Sequence, residues 1–263
     1  MKKLFLAFIL IASANSGYSA VGLELIPKGR PFRLTFADPR EIRMALTFEG
    51  SSKINAIIGN YFSILGIRNE NNSDWFFHVG LEGAGYFTMK QADKRFPLET
   101  ADGLIGFYIE TNVGPAQYQF RLTHISAHLA DGSMDGAIPF SRETAILRFG
   151  YLLTPDIHLY SGLHYMVNTI PSLPRWAAQL GGTFFVPLSE SKVVPFGAFD
   201  LKHKAEVVHN PSFNLQLGVA FGNPPDVYKS FRFFYSFFSG TDPRGQFFTH
   251  QITSHSAGIE MQI

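Results

Sequence analysis

From residue 41 to the end of the chain, apolar and polar positions alternate with a period of two, in runs separated by turn-forming residues. In Phe213-Asn214-Leu215-Gln216-Leu217-Gly218-Val219-Ala220-Phe221 every odd position is large and apolar, and every even one is small or polar. That is the period of a β-strand whose two faces meet different surroundings. Followed along the chain, the pattern predicts about twelve strands, near 41–48, 53–65, 74–88, 102–112, 115–129, 142–153, 156–168, 175–187, 192–202, 212–222, 228–240 and 249–263. Most reach the roughly 9–11 residues that a tilted strand needs to cross a bilayer. Pro195 predicts an irregular or bulged ninth strand, because proline donates no ladder hydrogen bond.

Parity sorts the two faces. In the third run Trp75, Phe77, Val79, Leu81 and Phe87 oppose His78, Glu82 and Tyr86; in the seventh Ile157, Leu159, Leu163, Tyr165 and Val167 oppose His158, Tyr160, His164 and Asn168. Glu82, Glu110, Arg121, Arg148 and Arg232 all fall on the polar parity. A barrel in lipid requires this, because Arg or Lys at the midplane of the lipid face costs about 2–4 kcal/mol. A soluble sandwich would instead hide the apolar parity between two sheets. The expected fold is therefore all-β, a single antiparallel transmembrane β-barrel with a polar lumen of mixed sign. Connections after odd strands are the longer ones, notably 89–101 and 130–141, whereas Asn112–Pro115 and Thr154-Pro155 are short. Long loops are extracellular and short turns periplasmic in such barrels.

The N-terminus adds a compartment. Lys2 and Lys3 precede the apolar run Leu4–Ala12 and then small residues through Ala20, the pattern of a secretory signal with cleavage after Ala14 or Ala20. The expected organisation is a signal peptide over 1–20, a periplasmic N-terminal segment over 21–40, and an outer-membrane barrel over 41–263. Asp38-Pro39-Arg40 reads as an extended lead into the barrel in preference to a plug contact. With no cysteine there is neither a disulfide framework nor a lipidated cysteine. A net charge of +1 gives no reason to expect nucleic acid as a partner. Nothing in the composition calls for a cofactor.

One stretch departs from an apolar outer wall. In the fifth run Ala116, Tyr118, Phe120 and Leu122 share the outward parity, which then continues as His124, Ser126 and His128. Either a bulge near Thr123 turns these groups into the lumen, or they stay outward. Folding the hairpin about the turn-rich segment Asp131–Gly136 sets Glu143 across from His124. Serine, a histidine able to take its proton and a carboxylate able to orient the imidazole are the parts of a nucleophilic acyl-transfer site. In that reading Ser126 is the nucleophile, His124 the general base and Glu143 the group that orients it. A metal held by His124, His128 and Asp131 is a weaker fit, since two histidines along a strand and one loop acid fall short of a closed zinc site. No metal is assigned.

The His124-x-Ser126 pair is similar to that of two outer-membrane acyl-hydrolase families, the phospholipase A barrels and the lipid A 3-O-deacylases, which carry His-x-Ser on the lipid-facing wall. Both usually place Asn after the serine, where this chain has Ala127. The resemblance implies hydrolysis of outer-leaflet lipid esters. A broader one joins Ala37-Asp38-Pro39-Arg40-Glu41-Ile42-Arg43 to His124-x-Ser126-x-His128-Leu129-x-Asp131. Together they resemble a family of Gram-negative outer-membrane proteins known only as a domain of unknown function, which implies a fold and a location without a reaction. That family tends to read Gly-Asp-Glu where Ala130-Asp131-Gly132 stands here. Ser256, Gly258, Met261 and Ile263 resemble the C-terminal signal of assembled barrels, although an aromatic residue is usual at the last position. The partners implied are outer-membrane lipids and, through the last strand, the barrel-assembly machinery. The role expected is that of an outer-membrane barrel without an assigned reaction, with a lipid acyl hydrolase and a small-solute channel as the alternatives.

Overall fold

The structure is a computed structural model that describes residues 21–50, 52–69, 72–131, 136–188, 191–206, 211–222 and 231–261. The expected signal peptide, the tip of the 130–140 loop and Ile263 lie outside the described residues. The strands are β1 (Val21–Leu25), β2 (Met44–Glu49), β3 (Lys53–Asn69), β4 (Asn72–Lys90), β5 (Leu98–Val113), β6 (Ala116–Leu129) and β7 (Ser141–Thr154). They continue as β8 (Ile157–Ile170), β9 (Trp176–Phe185), β10 (Val193–Lys204), β11 (Ser212–Phe221), β12 (Phe231–Thr241) and β13 (Gln251–Met261). Neighbours in sequence pair antiparallel from β2 through β13, and β13 pairs with β2 to close the ring. β2 to β13 are the twelve strands that the alternation predicts. β10 runs regularly through Pro195, and its ladder with β9 begins one residue later, at Phe196.

The two faces have the polarity of a membrane barrel. On β7, Leu147, Phe149 and Tyr151 are exposed on the outer wall, while Arg148 between them is buried in the lumen. Leu81, Ile105, Leu163, Leu180, Leu217 and Phe233 continue the exposed apolar wall around the ring. Glu82, Glu110, Arg121, Arg148 and Arg232 are all buried inside, as parity requires. In water, so much exposed apolar surface over so charged an interior would be inverted; in lipid it is the stable arrangement.

The N-terminal segment corrects the expectation that 21–40 lies in the periplasm as a lead into the barrel. β1 pairs with the far half of β3, Val21 with Asn69 through Leu25 with Leu65, beside the edge that the short β2 leaves open. At Ile26, with φ of 53°, the chain leaves the wall. It crosses the lumen and rejoins the ring as β2 at Met44. Phe32, Phe36, Ala37, Asp38, Glu41 and Ile42 are each at most 2% exposed, which makes this segment the centre of the core. Phe36 and Ala37 pack against Phe185, Val194, Phe196 and Phe234, and Ile42 packs against Ala84, Tyr86 and Leu104.

Ion pairs hold the same segment to the wall. Arg30 binds Glu110 on β5, and Arg40 reaches Asp102 at 2.7 Å. Asp38 accepts from Arg148 on β7 at 2.7 Å, Gln179 on β9 at 2.9 Å and Lys202 on β10 at 2.9 Å. Asn214 on β11 donates to the Ala37 carbonyl at 2.6 Å, and Tyr86 on β4 donates to that of Arg40 at 2.8 Å. Charges can be buried here because nearly every one meets an opposite charge or a hydrogen-bond donor. The long-loop end is capped in turn by residues 242–250. There Gln246 donates to the Ala127 and Ile138 carbonyls, and Phe248 packs on Ala127 and Phe140.

Candidate functional site on the outer wall

β6 runs from Ala116 to Leu129 with no register shift against either neighbour. No bulge forms at Thr123. Arg121, Thr123 and Ala127 are therefore buried inward, and His124, Ser126 and His128 share the outward face with exposed Tyr118. They sit in the last turn-ward third of the strand, beside the long-loop end.

The hairpin pairs His124 with Glu143 and Ser126 with Ser141. The imidazole and the carboxylate meet across the strands, with His124 Nδ1 2.7 Å from Glu143 Oε1. Because a carboxylate can only accept, the His124 Nδ1 carries the hydrogen, and a neutral ring keeps its lone pair on Nε2. Ser141 donates to the same Oε1 at 3.5 Å. The His124 and Glu143 side chains are 43% and 33% exposed, so the pair lies open on the wall.

The third member is close but not engaged. Ser126 is one step along the same face from His124, and its Oγ makes no hydrogen bond with His124. It faces an open patch instead. Gly103 on β5 is its cross-strand partner, and a Cβ at that position would lie 3.8 Å from Ser126 Oγ. The glycine thus leaves the wall beside the hydroxyl uncovered.

His128 and Asp131 do not join this group. His128 lies exposed beyond Ser126, and Asp131 accepts from the Leu98 backbone N–H at 2.7 Å. One neighbour is placed differently from its parity. Between Glu143 and Thr144 the β7–β8 register shifts, so that Val167 and Asn168 both face outward and Asn168 lies across from Glu143. The uninterrupted alternation of 156–168 assigns Asn168 to the lumen, and no residue in that run signals the shift.

An active-site mutant of the outer membrane phospholipase A from Escherichia coli is 10% identical, with a TM-score of 0.50, over 98% of this chain and 96% of that one. A second structure of the outer membrane phospholipase A from Escherichia coli aligns at 9% identity and a TM-score of 0.50, over 87% and 95%. The β domain of the Bordetella autotransporter BrkA aligns at 14% identity and a TM-score of 0.40, over 84% and 96%. Curated protein sequences give no match. The family model described as "Protein of unknown function (DUF1207)" matches residues 11–262. The closed ring and its apolar exterior have the architecture of an outer-membrane barrel, and the chain belongs to the DUF1207 family of proteins of unknown function.

Proposed function

We propose that this barrel hydrolyses acyl esters of lipids in the outer leaflet, with Ser126 as nucleophile, His124 as general base and Glu143 orienting His124. The observation that carries the reading is the 2.7 Å contact between His124 and Glu143 on the outer wall, one strand step from Ser126. Polar side chains facing lipid are costly, and a histidine–carboxylate pair beside a serine has a chemical use that repays that cost. The long-loop end is then the extracellular one. β13, with Ser256, Gly258 and Met261, serves as the strand that the assembly machinery recognises.

In the first half-reaction the Ser126 hydroxyl rotates toward His124 Nε2 and gives up its proton as Oγ attacks the ester carbonyl. Collapse of the tetrahedral adduct breaks the bond to the alcohol, which leaves with the proton from Nε2. Water then attacks the Ser126 ester, giving its proton to the same nitrogen, and collapse of the second adduct breaks the bond to Ser126 Oγ, which takes that proton back as the fatty acid leaves. Glu143 keeps Nδ1–H in place and stabilises the imidazolium. The phospholipase A name of a structural neighbour agrees with this chemistry, although its 10% identity bears on the fold alone. The channel alternative is weakened by the segment 26–43, which fills the lumen.

Labelling with a lipid-tailed fluorophosphonate tests the proposal. Folded wild-type protein in detergent should be modified at Ser126, and His124→Ala should slow labelling by about 10²–10⁴. Ser141→Ala should label normally. Modification at Ser141, or none in protein shown to be folded, contradicts the reading.

A further inference from the structure

Beneath the 242–250 cap lies a second feature, inside the barrel and away from the proposed ester site. A cavity of about 150 Å³ is bounded by the plug at Asp38 and Arg40, by β7, β9 and β10, and by Asp242, Pro243 and Phe248 of the cap. It is well above the ~10–15 Å³ that one water needs. Its walls are basic.

Besides Arg121 and Arg148, which Glu82 and Glu41 hold, five cations line it: Arg40, Arg142, Arg175, Lys202 and Lys204. The carboxylates bound to them are three: Asp102 on Arg40, Asp38 on Lys202, and Glu206, which Arg142 and Lys204 share. Asp38 is itself divided between Lys202 and Arg148. Asp200, deeper on β10, is held by Tyr160 and Gln179. Lys204 lies 3.8 Å from Glu206, a long contact, and the Arg142 Nε is buried without a partner. Among the described residues Arg175, exposed at the rim of the chamber, donates only to the Val167 carbonyl. These five cations thus exceed the carboxylates bound to them by two, in a chamber that is half open.

We infer that this chamber binds a small dianionic oxyanion of the phosphate class, held by Arg142, Arg175 and Lys204 and approached from the long-loop end. Guanidinium forks and an ammonium group suit such an ion, because each N–H meets an oxygen along its own bond direction. The walls separate the chamber from the lipid, so the ion enters free and not as part of a headgroup.

The test is calorimetric titration of the full chain, folded in detergent, at constant ionic strength. Inorganic phosphate is titrated beside chloride, succinate and dihexanoyl phosphatidic acid. Phosphate should bind one to a chain in the presence of excess chloride. Lys204→Gln and Arg175→Gln should each weaken it about tenfold, as loss of one charge-assisted hydrogen bond does. Ser126→Ala should bind as wild type does, which separates this site from the ester site. Folding of each variant is checked by heat-modifiable mobility. Succinate binding weakened by the same variants would support an oxyanion site of broader selectivity. Three results would overturn the inference: no phosphate binding beyond the chloride control, equal binding by wild type and both variants, or binding of the lipid-borne phosphate alone.

Discussion

At the scale of single residues, the proposed chemistry rests on which nitrogen of His124 is occupied. Glu143 holds Nδ1, which leaves Nε2 for the serine. Glu143→Gln should therefore lower kcat for ester hydrolysis by about 10²–10⁴ with little change in KM, because an amide N–H can donate to Nδ1 and favour the other tautomer, and a neutral amide does not stabilise the imidazolium by charge. A KM effect with kcat intact would assign Glu143 to binding. Gly103→Leu should act oppositely, raising KM by covering the wall beside Ser126. His124, Ser126 and Glu143 were legible in the sequence because an antiparallel hairpin fixes cross-strand partners once its turn is placed. Asn168 was not, since a register shift conserves the apolar and polar letters while changing the wall they face.

At the scale of elements, the barrel strands were legible for the physical reason that lipid outside and charge inside force strict alternation. β1 and the plug were not. Val21-Gly22-Leu23-Glu24-Leu25 alternates too, but over a length shared by any extended segment. The plug carries no period at all. Its signal was compositional: Phe32, Phe36 and Ile42 interleaved with Asp38, Arg40, Glu41 and Arg43, more apolar bulk and more charge than an exposed lead has reason to carry. Arg148 joins plug to wall by binding both Asp38 and Glu41. Arg148→Met should destabilise the folded barrel by about 3–5 kcal/mol in urea unfolding, since it leaves two buried carboxylates short of their cation. A loss below about 1 kcal/mol would mean that the plug does not brace the wall.

Acid should loosen the same element. Burial alone would raise the Glu41 carboxyl, but Arg148 and then Arg121 outweigh it and hold it down at about 2. Asp38 is likewise held well below the ordinary carboxylate range, where Lys202 and Arg148 overcome burial. A depressed folded-state pKa gives stability that is fully present above the unfolded value, here about 4.5 for Glu41, and is lost as pH falls through about 2. Urea midpoints should be level from pH 7 to 5 and drop between pH 4 and 2. A midpoint unchanged at pH 2 would contradict the pairing.

At the scale of the whole molecule, the parts divide the work between two surfaces. The lumen is filled from below by residues 26–43 and capped by 242–250, so wild-type protein in planar bilayers should show no steady unitary conductance at neutral pH. A regular conductance would restore the channel reading. In the proposed function the outer wall carries the chemistry, where His124, Ser126 and Glu143 share the outward face. Mass spectrometry of outer-membrane lipids tests this most directly, comparing cells that carry wild-type protein, Ser126→Ala and no protein at matched levels of folded barrel. The account predicts deacylated lipid in the first and matching intact lipid in the other two; identical acyl patterns in all three would contradict it.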